Sequence, residues 1–303
     1  MSSVSLLGMT KTDSLGRSTF HHIAPQAGVR PTNREIRWLK HIERHGPQSS
    51  QYLYELTRET HRCKDTALRQ MTKLRAGGFL RLPPQQRATE HADFNPYIYD
   101  LTKEAKDHLV DLGLAEPTVR PTGHWWHGFA TSCVTSSIDI AVARHGVRYI
   151  PAHTILAKQG ASLDIPMERG KLVPDQLFAL DYGGTFRAFA LEVDRGTEPI
   201  QSAAARKSLG RSIDQYLEVL ERQIHRSHYG LRANLIVLWV FTSRSRQVYF
   251  QNILKERSGP SGKAIVSRVS DFAHLFKEVH TSLVLDSWGS VGTVPFHLID
   301  PSW

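Results

Sequence analysis

Cysteine is almost missing from this chain: Cys63 and Cys133 are its whole complement among 303 residues. That scarcity excludes a disulfide framework and leaves no paired spacing for a structural zinc site, so both read as small buried hydrophobes. Long apolar runs are missing too. The longest, Leu235 to Phe241, has the length of a buried strand and falls far short of the roughly 20 residues of a membrane span. The opening MSSVSLLGMTKTDSLGRS lacks a basic stretch leading into an apolar block, so nothing reads as a secretion signal; a cytoplasmic location and no membrane partner are expected. Negative charge is in deficit, with 38 Lys and Arg against 29 Asp and Glu, a formal charge of +9. The surplus favours a polyanionic partner, because clustered Lys and Arg release counterions from a phosphate backbone. What is present, 40% apolar and 22% charged residues, is the balance of a globular protein long enough for two domains.

Residues 1–32 mix Ser, Gly, Pro and His without a period and read as a flexible basic arm. From Asn33 the pattern is helical: Asn33 caps a helix with Ile36, Leu39, Ile42 and Trp38 on its apolar face, and Gly46-Pro47 stops it. Ser49 or Ser50 caps a short helix carrying Leu53 and Leu56, and a third helix from about Lys64 buries Ala67, Leu68, Met71 and Leu74. Gly77-Gly78 ends it. Phe79 to Leu82 and Tyr97 to Leu101 then read as strands around the polar turn Pro83 to Asn95, and Thr102 opens a helix through Leu109 and Leu112. LRAGGFLRL followed by YIYDLTKEAKDHL resembles winged helix proteins, which implies a winged helix-turn-helix domain over 33–115. In that fold the third helix enters the major groove of double-stranded DNA. Arg62, Lys64, Arg69, Lys73 and Arg75 are then available for phosphates and base edges, with Thr66 and Gln70 as base readers. Taken singly, each of these charges also fits a solvated helix face, and some winged helices bind protein instead.

Residues 116–123, EPTVRPTG, form a two-proline linker, and the second domain spans 124–286, leaving an irregular tail over 287–303. HWWHGFATSCVTSSIDIAVARHG reads as a helix ended by Gly146, with a strand from Val147. Helices and strands then alternate, the pattern of an α/β sheet and, with the first domain, of an α+β chain overall. In KLVPDQLFALDYGGTFRAFALEVDRGTEP two strands meet at Gly183-Gly184, a dipeptide suited to a two-residue hairpin turn. Counting outward from a closing pair of Tyr182 and Thr185 places Asp175 opposite Glu192, and Asp194 joins them on the same face. Three carboxylates at one end of an apolar hairpin repel one another unless a cation lies there, and oxygen donors suit Mg2+ or Mn2+. Such an ion lowers the pKa of bound water and polarises a phosphate. The plainer reading has Asp175 and Asp194 terminating strands while Glu192 pairs with Arg187 or Arg195. His124 and His127 beside Trp125 and Trp126 either line a DNA cleft, bind metal or flank an aromatic packing cluster. Leu235 to Phe241 reads as a central strand running into a basic loop, Thr242 to Arg246, that could hold a phosphate backbone or simply be solvated.

Pro174-Asp175 followed by Glu192-Val193-Asp194 resembles the active-site hairpin of the PD-(D/E)XK nucleases, which implies a restriction-endonuclease-like α/β domain. In that superfamily an Asp and a Glu hold metal and a Lys two residues on assists the attacking water; here Asp194 occupies the lysine position. The continuation through DRGTEP, after a winged helix and a helix starting near a His, resembles the replication-relaxation family, including MOBC-type relaxases of mobilisable plasmids. The resemblance implies a metal-dependent nickase that recognises and processes an origin on a plasmid or mobile element. Its partners would be double-stranded DNA, nicked or single-stranded DNA at the processed site, and relaxosome or replication proteins. Members commonly carry a basic residue and a Tyr about one helical turn apart after GTE; this chain has Tyr216 but Ser212 one turn earlier, with a helix able to bring Lys207, Arg211 or Gln215 toward the metal face as a migrated group. The catalytic set is therefore Asp175, Glu192, Asp194, Lys207, Arg211 and Tyr216, with Asp175, Glu192 and Asp194 as metal ligands. Tyr216 reads as a half-buried residue bonded locally rather than as a covalent nucleophile, and Glu198 as a further ligand or a partner of its helix dipole. The rival readings are a non-catalytic DNA-binding accessory or regulator with a degenerate nuclease domain, and an assembly protein whose winged helix grips another protein.

Overall fold

The computed structural model describes residues 23–61, 63–87, 96–121, 123–168, 170–196, 208–291 and 294–299. Most of the expected arm, the expected turn beyond 87, Arg62, Glu198 and Lys207 lie outside them.

The first unit begins with α1 (Asn33–His45). Its cap is Thr32 rather than Asn33: Glu35 lies three residues on, and its carboxylate accepts from the Thr32 backbone N–H at 2.6 Å, closing a capping box that Asn33 cannot form. Next come β1 (Gln48–Ser49), a strand the sequence pattern did not reveal, and α2 (Ser50–Leu56), capped by the Ser49 hydroxyl. They are followed by α3 (Lys64–Ala76), β2 (Leu80–Arg81), the short α4 (Pro84–Arg87), β3 (Ile98–Leu101) and α5 (Lys103–Asp111). Thr102 caps α5 as expected, its hydroxyl accepting from the Ala105 N–H. The strands form an antiparallel sheet in the order β1-β3-β2. Trp38, Leu39, Ile42, Leu53, Ala67, Met71 and Leu74 fill the space between helices and sheet, while Leu68 is only partly covered.

The second unit opens with α6 (Trp125–Ala143), followed by β4 (Arg148–Pro151) and α7 (Ala152–Ala157). A small ribbon of β5 (Ile165–Pro166) and β6 (Lys171–Leu172) leads to the hairpin of β7 (Gln176–Asp181) and β8 (Phe186–Asp194). Then come α8 (Leu209–Glu221), α9 (Ile224–Tyr229), β9 (Leu235–Phe241), α10 (Arg244–Arg257) and β10 (Ile265–Val269), and finally α11 (Phe272–Leu275) and α12 (Ser282–Leu285). The result is a mixed α/β protein around a five-stranded sheet of order β10-β9-β8-β7-β4. Pairing is antiparallel through β4, β7 and β8 and parallel through β8, β9 and β10.

The hairpin register is the expected one, with Gln176 opposite Leu191, Asp181 opposite Phe186, and the Tyr182 N–H donating to the Thr185 carbonyl. Gly183 and Gly184 turn the chain at φ of 80° and 102°, values that disfavour any residue with a Cβ. Because side chains alternate along a strand, Phe178, Leu180, Phe189, Leu191 and Val193 pack with α6, while Leu177, Ala179, Ala188 and Ala190 pack with α8 and α10. The expected basic loop after β9 is instead the start of α10, because the Ser243 hydroxyl accepts from the Arg246 N–H and caps a helix there.

One side of α6 is neither apolar nor solvated. Thr131, Ser132, Thr135, Ser136 and Ser137 are buried there against the first unit, small enough to let α1 and α2 approach and each able to bond across the gap. Ser132 donates to the His45 carbonyl, and Ser137 meets the Tyr52 hydroxyl at 3.0 Å. Gly46, at φ 97°, sits where an added Cβ would lie 2.6 Å from Ser132 Oγ. The expected linker is laid along α1: the Glu116 N–H donates to Glu43, and Arg44 binds the Glu116 carboxylate at 2.6 Å.

Candidate functional site

The hairpin places Asp175 and Glu192 at its open end, both nearly dry at 5% and 3% exposure. A carboxylate is stable there only with partners, and each has them. Asp175 Oδ2 accepts from the Val193 N–H at 2.8 Å, tying the two strands beyond their last ladder pair, and Oδ1 lies 2.9 Å from His127 Nε2 at the start of α6. Glu192 Oε1 accepts a 2.6 Å bond from the Tyr216 hydroxyl, presented by α8 over the same sheet face. Tyr216 is fully buried, so the expectation of a half-buried side chain bonded locally is replaced by a long-range bond. Burial, and after it the Glu192 carboxylate, push the Tyr216 phenol well above its ordinary pKa.

Asp194 lies elsewhere in this network. Its Oδ1 accepts from the Gly196 N–H and its Oδ2 from Arg246 Nη2, both at 2.6 Å, with the two side chains 3% and 16% exposed. Both oxygens are thus committed to a turn and to α10. Among the described residues, the set of three side chains whose ligand atoms lie within 4.8 Å of one another is His41, His45 and Asp139, and it does not include the hairpin carboxylates. Asp175 and Glu192 are buried oxygens on one sheet face, the donor type a hard divalent cation takes, while Asp194 is paired with Arg246.

Asp175 also lines a cleft of about 1250 Å³ that runs between the two units. Its walls include Pro47 and Gln85 from the first unit, Arg120, His124, Trp125 and His127 at the head of α6, Lys171, and Arg211 and Gln215 from α8. Arg211 is exposed and faces the cleft one helical turn before Gln215, whose amide reaches the Lys171 carbonyl. His127 is the group the sequence reading underweighted. Its spacing beside two tryptophans resembled packing, and the tryptophans do pack, with Trp125 stacked on Phe129 at 5.3 Å, yet the imidazole points at Asp175. Arg246, expected in a basic loop facing phosphate or solvent, instead pairs with Asp194 from the first turn of α10.

On the first unit, α3 exposes Lys64, Arg69 and Lys73, with Thr66, Gln70 and Arg75 partly covered. Among the described residues none of Lys64, Arg69 and Lys73 forms an ion pair with a carboxylate. Thr66 bonds Cys63 at 3.2 Å, and Thr72 bonds back to the Leu68 carbonyl. Among the described residues no helix is long and apolar enough to cross a membrane.

Fold and site together define a mixed α/β protein with a first unit of helices around a three-stranded sheet and a second whose hairpin carries two buried carboxylates, Asp175 lining a cleft of mixed charge. The family profile for replication-relaxation proteins matches residues 39–235, and the chain belongs to that family. Among solved structures it is similar to the SdaI restriction endonuclease at 13% identity over 82% of this chain and 90% of that one, with a TM-score of 0.20. No curated protein matches the chain.

Proposed function

We propose that this protein is a DNA-binding, divalent-metal-dependent nickase of relaxase type that processes an origin on a plasmid or mobile element. The observation that carries the reading is the pair Asp175 and Glu192, two buried carboxylates on one face at the open end of a hairpin, with Asp175 lining a cleft that also presents Arg120, Lys171 and Arg211. The order α6, β4, β7, β8, α8, β9 around a sheet with that site at its centre supports a PD-(D/E)XK-like nuclease domain. The order α1, β1, α2, α3, β2, β3 with the sheet β1-β3-β2 supports a winged helix whose α3 presents Lys64, Arg69 and Lys73 to duplex DNA. Membership of the replication-relaxation family points the same way, to a role in DNA processing.

Asp175 and Glu192 would hold Mg2+ or Mn2+, which when bound supplies a water of lowered pKa and polarises the scissile phosphate. The chain's own groups fix everything around that point. Val193 and His127 fix the Asp175 carboxylate, and Tyr216 fixes Glu192. Arg211 and Lys171 on the cleft wall attract the phosphates flanking the scissile bond. Arg246 neutralises Asp194, so that a third negative charge does not oppose the approaching backbone. Tyr216, buried and held protonated, orients its carboxylate and does not attack phosphorus.

One observation favours a second reading: Asp194 stands where related nucleases place a lysine, which fits a non-catalytic DNA-binding regulator with a degenerate nuclease domain. Supercoiled plasmid carrying the DNA that neighbours the gene separates the two. With Mg2+ or Mn2+ the full chain is expected to convert it to open circle, and chelator is expected to stop the conversion. Intact plasmid in metal, with the protein still bound to it, would establish the regulator instead.

A further inference from the structure

Outside the hairpin, the contact between α1 and α6 buries His41, His45 and Asp139, at 3%, 2% and 8% exposure, and nothing in the nickase reading uses them. The two histidines are four residues apart and so share one face of α1, and Asp139 comes from the C-terminal part of α6. Asp139 Oδ2 lies 2.8 Å from His45 Nε2 and 3.6 Å from His41 Nδ1. Donors about 2.0–2.1 Å from a tetrahedral ion are roughly 3.3 Å from one another, and the two observed separations bracket that value.

The far side of each ring is arranged to match. His41 Nε2 meets Ser136 Oγ at 2.6 Å and His45 Nδ1 meets Thr135 Oγ1 at 2.9 Å, so each imidazole has one nitrogen fixed by a hydroxyl of α6 and the other turned to Asp139. Metal-bound histidines are oriented in this way by an outer partner. Thr135 Oγ1 also donates to the Thr131 carbonyl. Arg44 Nη1 is 2.6 Å from Asp139 Oδ2, but Arg44 also holds Glu116 and keeps an anionic partner when Asp139 turns to another cation.

We propose that His41, His45 and Asp139 form a binding site for a divalent transition metal, with zinc its best fit, that clamps the first unit onto α6. Two imidazole nitrogens and one carboxylate oxygen suit Zn2+ and not the hard ions expected at the hairpin. The clamp does not depend on the nickase reading.

The test uses the full chain loaded with excess Zn2+, passed through gel filtration and analysed for metal, with Co2+ as a spectroscopic probe. About one zinc per chain is expected to remain, and zinc is expected to raise the melting temperature. His41→Gln and His45→Gln are expected to lose both effects, whereas Glu192→Ala keeps the metal, which separates this site from the hairpin. Folded wild-type protein that emerges without zinc would overturn the proposal, as would a folded His41→Gln variant that retains it. Should the histidine variants not fold, cobalt in the wild type decides: an intense tetrahedral visible band supports the site, and a weak octahedral spectrum or no bound cobalt overturns it.

Discussion

Replacing Arg246 by Met strips the guanidinium from Asp194 Oδ2, 2.6 Å away, while leaving an aliphatic side chain to fill the space. Asp194 is then an uncompensated carboxylate with a side chain only 3% exposed. Breaking one partner of a buried pair costs about 3–5 kcal/mol, and because the Gly196 N–H still serves Oδ1, the lower end of that range is expected. Removing the second charge as well, in Arg246→Met with Asp194→Asn, should recover most of the loss, since the amide oxygen still accepts from Gly196 and no ion is stranded. The coupling between the two changes is expected to be at least about 2 kcal/mol. Urea unfolding followed by tryptophan fluorescence reads this directly, because Trp239 pairs with Glu192 in β9, two residues from the Asp194 register position. A double variant no more stable than Arg246→Met would refute the pairing, and an unchanged midpoint in the single variant would refute its burial.

Tyr216→Phe removes one hydrogen bond to a charged, buried acceptor, a loss of about 1.5–3 kcal/mol, so nicking is expected to slow by roughly 10- to 150-fold without stopping. A covalent protein–DNA adduct that forms with the wild type and vanishes in this variant would contradict the hydrolytic route. Arg69→Ala with Lys73→Ala should lower the slope of log K against log salt by about 2 for duplex binding; an unchanged slope would place the DNA on another surface. Glu116 titrates with a lowered pKa: burial pushes it up, but hydrogen bonds and charge from Arg44 and Lys40 outweigh burial. A depressed folded pKa means stability present above the ordinary carboxylate pKa and lost as pH falls through the lowered one. Wild type should therefore exceed Glu116→Gln in stability at neutral pH, with the gap closing in acid; a gap that widens in acid would reverse the assignment.

The hairpin was legible because its information is local. A Gly-Gly turn fixes one closing pair and a period of two carries the register outward, so Gln176 faces Leu191 as counted and Asp175, one step beyond the ladder, bonds the Val193 N–H. Helix ends were legible where a cap lies beside its acceptor, as at Ser49 and Thr102, and slipped by one residue where the reciprocal Glu35 selects Thr32. What stayed hidden depends on how distant elements pack. Arg246 reaches Asp194 only because β9 runs parallel to β8 and delivers the first turn of α10 to that end of the sheet. His127 reaches Asp175 through the placement of α6, and the buried polar side of that helix is set by its contact with α1. His41 and His45, one helical turn apart, were a visible signal, but their partner Asp139 lies far along the chain.

The most direct measurement sets wild type beside Glu192→Gln and Asp175→Asn, near-isosteric changes that remove a charge from the hairpin, on supercoiled plasmid bearing the neighbouring DNA in Mn2+. Wild type is expected to yield open circle, and both variants to bind the duplex with unchanged salt dependence while leaving the plasmid supercoiled. Nicking by either variant at the wild-type rate would contradict a cleavage centre built on these two carboxylates.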